Sequence, residues 1–215
     1  MKLLSATPSP FARKVRVALI EKGIPFETVA DLPWNPAAAA PGINPLGKVP
    51  VLILDDGRTL YDSKVIAEYV DGMAAPSVTS TGRSLIPQDF ETRIAVRQTE
   101  ALADGICDAV VLIVLERSRD EGLRSADWTA RQHGKVGAGV RELARLLGDR
   151  TWMVGDGFTL ADIAVGCTLG YLDLRLPELD WRTPYPTLLA LFERLSARMS
   201  FAETVPAVQA IAAVR

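Results

Sequence analysis

Val49-Pro50-Val51-Leu52-Ile53-Leu54-Asp55-Asp56-Gly57-Arg58-Thr59-Leu60-Tyr61-Asp62-Ser63-Lys64-Val65-Ile66-Ala67-Glu68-Tyr69-Val70 reads as two strands and a helix in immediate succession. The apolar run that ends at Leu54 is opened by a proline, which removes one ladder donor at that place. Asp55-Asp56-Gly57-Arg58 has the chemistry of a hairpin turn leading into Thr59-Leu60-Tyr61. Asp62 and Ser63 are N-cap residues, and the helix that they open is expected to run to about Val70.

Upstream, the same alternation continues. Lys2 to Ser5 is a short strand, and Pro10 to Lys22 is a helix with proline in its first turn and Gly23 placed as a C-cap. Phe26 to Val29 is a second strand. An irregular loop from Asp31 to Pro45 holds four of the chain's 14 prolines. Strand, helix, strand, hairpin and helix within 75 residues describe a small α/β domain.

Downstream, the composition shifts to Ala, Pro, Ser, Thr and Gly from Gly72 to about Ser84, as expected of a linker. No strand pattern follows. Ile94 to Leu115 has a long helical pattern. Val136, Val140, Leu143 and Leu147 recur at spacings of four, three and four, as one helix face requires. Leu188, Phe192, Leu195 and Met199 repeat that spacing. Leu160 to Leu174 is apolar nearly all round, the mark of a helix buried on every side. The second part is therefore all-helical.

Composition excludes several function classes. The 215 residues suffice for one large domain or two small ones, and 48% hydrophobic content is ordinary for a globular protein. A net charge of -2, from 24 basic and 26 acidic residues, argues against a nucleic-acid binder, which would show a basic excess. No apolar stretch approaches the ~20 residues of a membrane span. Met1 to Ala6 is apolar too briefly for a signal peptide, so a cytoplasmic location is expected. Cys107 and Cys167 sit in apolar helical patterns and read as buried hydrophobes, not as a disulfide or zinc site. With His133 the single histidine, no histidine-based metal cluster can form, and no Gly-x-Ser-x-Gly elbow supports a serine hydrolase.

Four segments carry chemistry. At Ser9-Pro10-Phe11-Ala12-Arg13-Lys14-Val15-Arg16 a strand gives way to a helix, whose first-turn amides lack internal partners and favour an anion. Ser9 is either the N-cap alone or part of an anion site. Arg13, Lys14 and Arg16 crowd the end of the helix where the macrodipole prefers acids, which points to an anionic ligand or to solvated charge. Asn44-Pro45-Leu46-Gly47-Lys48-Val49-Pro50 is the second segment, and on base rates alone Pro50 is trans. Asp62-Ser63 is the third, able to cap its helix or to present amides and a hydroxyl to a carboxylate. Thr159-Leu160-Ala161-Asp162 is the fourth and follows capping-box logic.

In order and spacing these segments resemble the cytosolic glutathione S-transferases over the whole chain. Asn44 to Pro50 followed by Asp62 to Tyr69 is similar to that family's glutathione-site pattern, Thr159 to Asp162 to its helix-capping motif, and Ser84-Leu85-Ile86-Pro87 to its linker exit. The resemblance implies a thioredoxin-like α/β glutathione-binding domain over 1–75, a linker over 76–86, and an all-α helical-bundle C-terminal domain over 87–215. It implies that Ser9 stabilises the glutathione thiolate and that Pro50 is cis. Val49 then offers its backbone to the cysteinyl part of glutathione, and Asp62 and Ser63 hold the γ-glutamyl end. Lys48 meets a ligand carboxylate, and Phe11 and Arg13 line the site.

The implied reaction is attack of the thiolate on a small electrophilic co-substrate, in a homodimer, without metal, nucleic acid or membrane. Glutathione-dependent isomerases, dehalogenases and noncatalytic binding proteins share the same pattern. Ser-Pro-Phe stands where the omega-like branch has Cys-Pro-Phe, which argues against cysteine-dependent thiol transfer. No tyrosine precedes Tyr61 to act as an activating phenol, and Asp62 replaces the more usual Glu or Gln.

Overall fold

The computed structural model describes residues 1–33, 35, 37–73 and 84–208. Residues 34 and 36 of the expected loop, 74 and 75 at the end of the expected α/β domain, 76–83 of the expected linker and 209–215 of the expected helical domain lie outside them. Strand β1 (Lys2–Ser5), helix α1 (Pro10–Glu21) and strand β2 (Glu27–Ala30) form a parallel crossover unit, with Lys2 opposite Glu27 and Ser5 opposite Ala30. Strands β3 (Val51–Ile53) and β4 (Thr59–Tyr61) form the expected hairpin. β3 runs antiparallel to β1, with Val51 opposite Leu4, so the sheet order is β2-β1-β3-β4. This mixed sheet with its helices is the thioredoxin-like arrangement.

The loop before β3 is less irregular than its prolines suggest. It contains a short helix, α2 (Ala40–Ile43), and the buried Asp31 carboxylate accepts from the amides of Ala39 at 3.0 Å and Ala40 at 2.7 Å. A four-residue helix is too short to leave a periodic pattern in sequence. Helix α3 (Ser63–Gly72) follows β4 and packs against α1, burying Ile66, Ala67 and Val70.

Four longer helices follow: α4 (Phe90–Arg117), α5 (Ala126–Leu147), α6 (Leu160–Arg175) and α7 (Pro186–Ser196). No strand occurs among their described residues. α4 starts earlier than its apolar pattern, because Asp89 caps it by accepting from the Thr92 amide at 2.9 Å. α6 buries every residue from Leu160 to Leu172. α4 and α5 approach so closely at Gly139 that an added Cβ would stand 2.5 Å from Ile106 Cγ1. No helix among the described residues is long and apolar enough to cross a membrane.

One sequence expectation fails at the end of α7. Leu188 and Leu195 are buried there, but Met199 does not extend their face. α7 stops at Ser196, Arg198 is extended, and a separate helix α8 (Met199–Ala202) begins with Met199 exposed. The extended residue destroys the 3.6-residue register on which the pattern depended.

The chain divides into two compact units. Pro87–Ala197 forms one, and Met1–Ile86 together with Arg198–Arg215 forms the other. Within the latter, Asp71 near the end of α3 gathers four donors. Its carboxylate accepts from the amides of Leu85 at 2.6 Å and Ile86 at 3.1 Å, and the Ser84 hydroxyl lies 2.6 Å away. The buried Lys22 ammonium completes the set at 3.4 Å. Asp71→Asn keeps one acceptor oxygen but turns an amide donor toward other donors and removes the charge facing Lys22. We expect a loss of ~1–3 kcal/mol, read as a melting temperature about 5 °C lower. An unchanged melting temperature would show that these bonds contribute nothing net.

Candidate functional site

β3 is antiparallel to both β1 and β4, so the beginning of β3 lies at the same end of the sheet as the ends of β1 and β4. Three connections therefore meet there: Ala6 to Ser9, Lys48 to Pro50, and Asp62 to Ser63. Ala6 and Val49 share a buried apolar cluster with Leu4, Ala40 and Val51. Ser9, Val49, Asp62 and Ser63, far apart in sequence, are thus assembled by topology alone.

Ser9 is the N-cap of α1, and its Oγ accepts from the Ala12 amide at 3.2 Å. That bond occupies a lone pair of the hydroxyl and leaves its proton free to be donated elsewhere. Capping and donation to a ligand are therefore compatible, and the two readings of Ser9 do not compete. Pro10 supplies no amide, and Phe11, half-buried in the first turn, carries one without an intrahelical partner.

The Val49–Pro50 peptide bond is cis, against the base-rate expectation and in agreement with the resemblance. Val49 is buried. Lys48 is exposed, and its carbonyl accepts from the Asn44 side-chain amide at 2.9 Å.

Asp62 caps α3, its Oδ1 accepting from the Lys64 amide at 2.8 Å. Its φ is 70° and its ψ 125°, and among the described residues it alone is a non-glycine with positive φ. Such a conformation costs on the order of 1–3 kcal/mol and clusters at ligand clamps. It turns the chain abruptly between β4 and α3, so that Ser63, buried at the first helical position, follows at once.

Arg13 is placed differently from the expectation. It is buried, its Nε donates to Thr204 Oγ1 at 3.4 Å and its Nη2 to the Phe201 carbonyl at 3.3 Å, and its guanidinium lies 5.2 Å over the Phe201 ring. Arg16 donates to the Glu203 carbonyl at 3.3 Å. These two cations meet carbonyls at the end of α8, where a helix dipole favours positive charge. Two of the three cations that crowd the start of α1 are thus engaged within the protein. Nothing in the sequence near Phe201 or Thr204 marked this contact.

The fourth segment forms the predicted capping box on α6. The Thr159 Oγ1 accepts from the Ala161 amide at 3.3 Å, and the Asp162 carboxylate accepts from the Thr159 amide at 2.8 Å. Asp162 also accepts from the Met153 amide at 2.8 Å and is wholly buried. It is a structural hub within the helical unit.

The comparisons with known proteins agree with this geometry. The glutathione S-transferase N-terminal domain model matches residues 8–73, and the C-terminal domain model matches residues 126–194. An Escherichia coli K12 protein, the uncharacterised GST-like protein YibF, is 40% identical over 96% of this chain and 98% of its own length. The chain belongs to the glutathione S-transferase family. A family member from Methylobacterium radiotolerans, solved with glutathione sulfonate, is 52% identical, covers 98% of this chain and 97% of its own, and superposes with a TM-score of 0.92. Another from Methylobacillus flagellatus, solved with glutathione bound, is 46% identical over 96% of this chain and 99% of its own, with a TM-score of 0.89. Membership of the glutathione S-transferase family accounts for the order of the four segments. Among the described residues no group of three or more His, Cys, Asp or Glu is arranged for a metal ion.

Proposed function

We propose that this protein is a glutathione transferase in which the Ser9 hydroxyl stabilises the glutathione thiolate for attack on a small electrophile. Asp62 carries this reading: an exposed residue in a costly left-handed conformation, adjoining a buried serine at the start of α3, is what a ligand clamp requires. Asp62 and Ser63 hold the γ-glutamyl end, with the ammonium drawn to the carboxylate and the α-carboxylate to the Ser63 amide and hydroxyl. Val49 pairs its backbone with the cysteinyl residue as a strand edge would. Lys48 is exposed at the same end and meets the glycyl carboxylate, while Phe11 borders the sulfur. Arg13, engaged with Phe201 and Thr204, is not among the contacts.

The energetics suffice. A free thiol has a pKa of ~8.5, and lowering it to ~6.5 requires about 2.7 kcal/mol of preference for the thiolate. A hydrogen bond to a charged group supplies ~1.5–3 kcal/mol. The N-terminus of α1 adds ~0.3–1, or up to ~2 where partly buried. Ser9 remains protonated throughout, as donor and not as nucleophile. The product is a thioether, formed with loss of a leaving group or by addition, as detoxifying conjugation requires. No metal takes part.

The test is retention on immobilised glutathione together with turnover across chloronitrobenzenes, peroxides, haloacids and maleyl compounds. Retention with conjugation is expected. Retention without any turnover would favour a noncatalytic binding protein, and turnover of haloacids or maleyl compounds alone would favour a dehalogenase or isomerase. Failure of retention would remove glutathione from the account. The proposal extends to a cytoplasmic homodimer, so sedimentation at micromolar concentration should give about twice the 23.3 kDa chain mass. A single 23.3 kDa species at all concentrations would refute the dimer.

A further inference from the structure

The residues after α7 return to the first unit and grip α1 along its length. Arg198 forms a two-pronged ion pair with Glu21 at the end of α1, with Nε at 2.8 Å and Nη2 at 2.6 Å, and the Ser200 hydroxyl meets the same carboxylate at 2.5 Å. Arg16 holds the Glu203 carbonyl at mid-helix. Arg13 holds Phe201 and Thr204 one turn after Ser9. The segment therefore runs antiparallel to α1 and engages it at three levels.

α1 also makes contacts of another kind. Its buried Ala12, Val15, Val17, Ala18 and Leu19 pack by apolar contact, which resists separation but is weakly directional. The hydrogen bonds and the bidentate ion pair from Arg198–Thr204 are directional, so they set the rotation and axial position of the helix. Arg13 has special leverage. Its own amide donates to the Ser9 carbonyl at 2.9 Å, closing the first turn as one hydrogen-bonded ring. Fixing the Arg13 side chain thus fixes Ser9.

We propose that Arg198–Thr204 is a strap that sets the position of the Ser9 hydroxyl, with Arg13 as its positioning residue. This rests on the reading of Ser9 as thiolate donor. The magnitude is adequate. A rotation of α1 by about 15° moves an atom about 4 Å from its axis by about 1 Å. Hydrogen bonds weaken steeply over such a displacement, and errors of about 1 Å at a reacting group cost as much as about 10²-fold in rate.

The test is the ultraviolet thiolate absorbance of bound glutathione against pH, with glutathione affinity and melting temperature measured in parallel. Arg13→Met keeps the packing of the stem and loses its directed bonds. It should raise the pKa of the bound thiol by about half a unit to one unit, about three- to tenfold less thiolate below that pKa, with affinity within about twofold. Arg13→Lys should restore part of the shift. Arg198→Gln loosens the far end of the strap without touching the first turn. It should shift the titration in the same direction by less, and it serves as the test if Arg13→Met fails to fold. Titrations of Arg13→Met and Arg198→Gln that superimpose on wild type, with lowered melting temperatures, would show that the strap is structural only. A wild-type bound thiol that titrates at the free value of ~8.5, coincident with Ser9→Ala, would instead refute the Ser9 reading, and the strap's role with it.

Discussion

Asp162→Ala should lower stability by ~3–5 kcal/mol and the melting temperature by about 10–15 °C. The carboxylate is wholly buried and is acceptor to the Met153 amide, the Thr159 amide and the Thr159 hydroxyl. Truncation leaves two buried amides without an acceptor, at ~1–3 kcal/mol each. It also removes the cap of a helix that buries thirteen residues of its own. The loss should appear in thermal unfolding, while protein that remains folded keeps its glutathione affinity. Vanished activity at unchanged stability would give Asp162 a different role.

The pH dependence of this site has a definite sign. Burial pushes the Asp162 carboxyl above its ordinary value of 3.8, although its donors pull the other way. The unfolded chain therefore ionises this group more readily than the folded one does. Its contribution is largest below the ordinary carboxylate range and declines as pH rises through the elevated folded value. The stability difference between wild type and Asp162→Asn, which does not titrate, should shrink as pH rises from about 4. A difference that grows with pH would overturn this.

Ser9→Ala should raise the pKa of bound glutathione by one to two units, on the scale of one charge-assisted hydrogen bond. Thiolate at a pH below that value falls about ten- to a hundredfold, and turnover falls with it. Affinity should change little, because Val49, Asp62 and Ser63 still hold the peptide. The lost cap lowers stability by only ~0.5–2 kcal/mol, so binding and chemistry can be measured on folded protein. Ser9→Cys should diverge: a thiol at a helix N-terminus has a depressed pKa and is nucleophilic. That variant should lose conjugation and form a mixed disulfide with glutathione in the presence of oxidised glutathione. Coincident thiolate titrations of wild type and Ser9→Ala would leave Ser9 as the cap of α1 and nothing more.

The elements that the sequence made legible are those whose signal is local. The Asp55–Arg58 turn, the caps at Ser9 and Asp62, and the box at Thr159 and Asp162 rest on residue preferences within four positions, and the structure bears each of them out. The all-round apolar character of α6 likewise predicted its burial. The order of these segments alone carries the resemblance to the family.

Other features depend on partners distant in the chain, and local preference carries no record of them. Helix α2 is capped by Asp31, nine residues before Ala40, and leaves no periodicity of its own. Gly139 is adjacent to Ile106 only because α4 and α5 pack closely. Arg13 looked like a ligand-facing cation because its sequence neighbours are the site, yet its partners lie at Phe201 and Thr204. Sequence by itself determined the longer helices, the strands and the caps, because backbone sterics and capping bonds act over a few residues. The tertiary structure alone decided which side chains face one another, because that depends on register and packing between elements that the chain joins only through long connections.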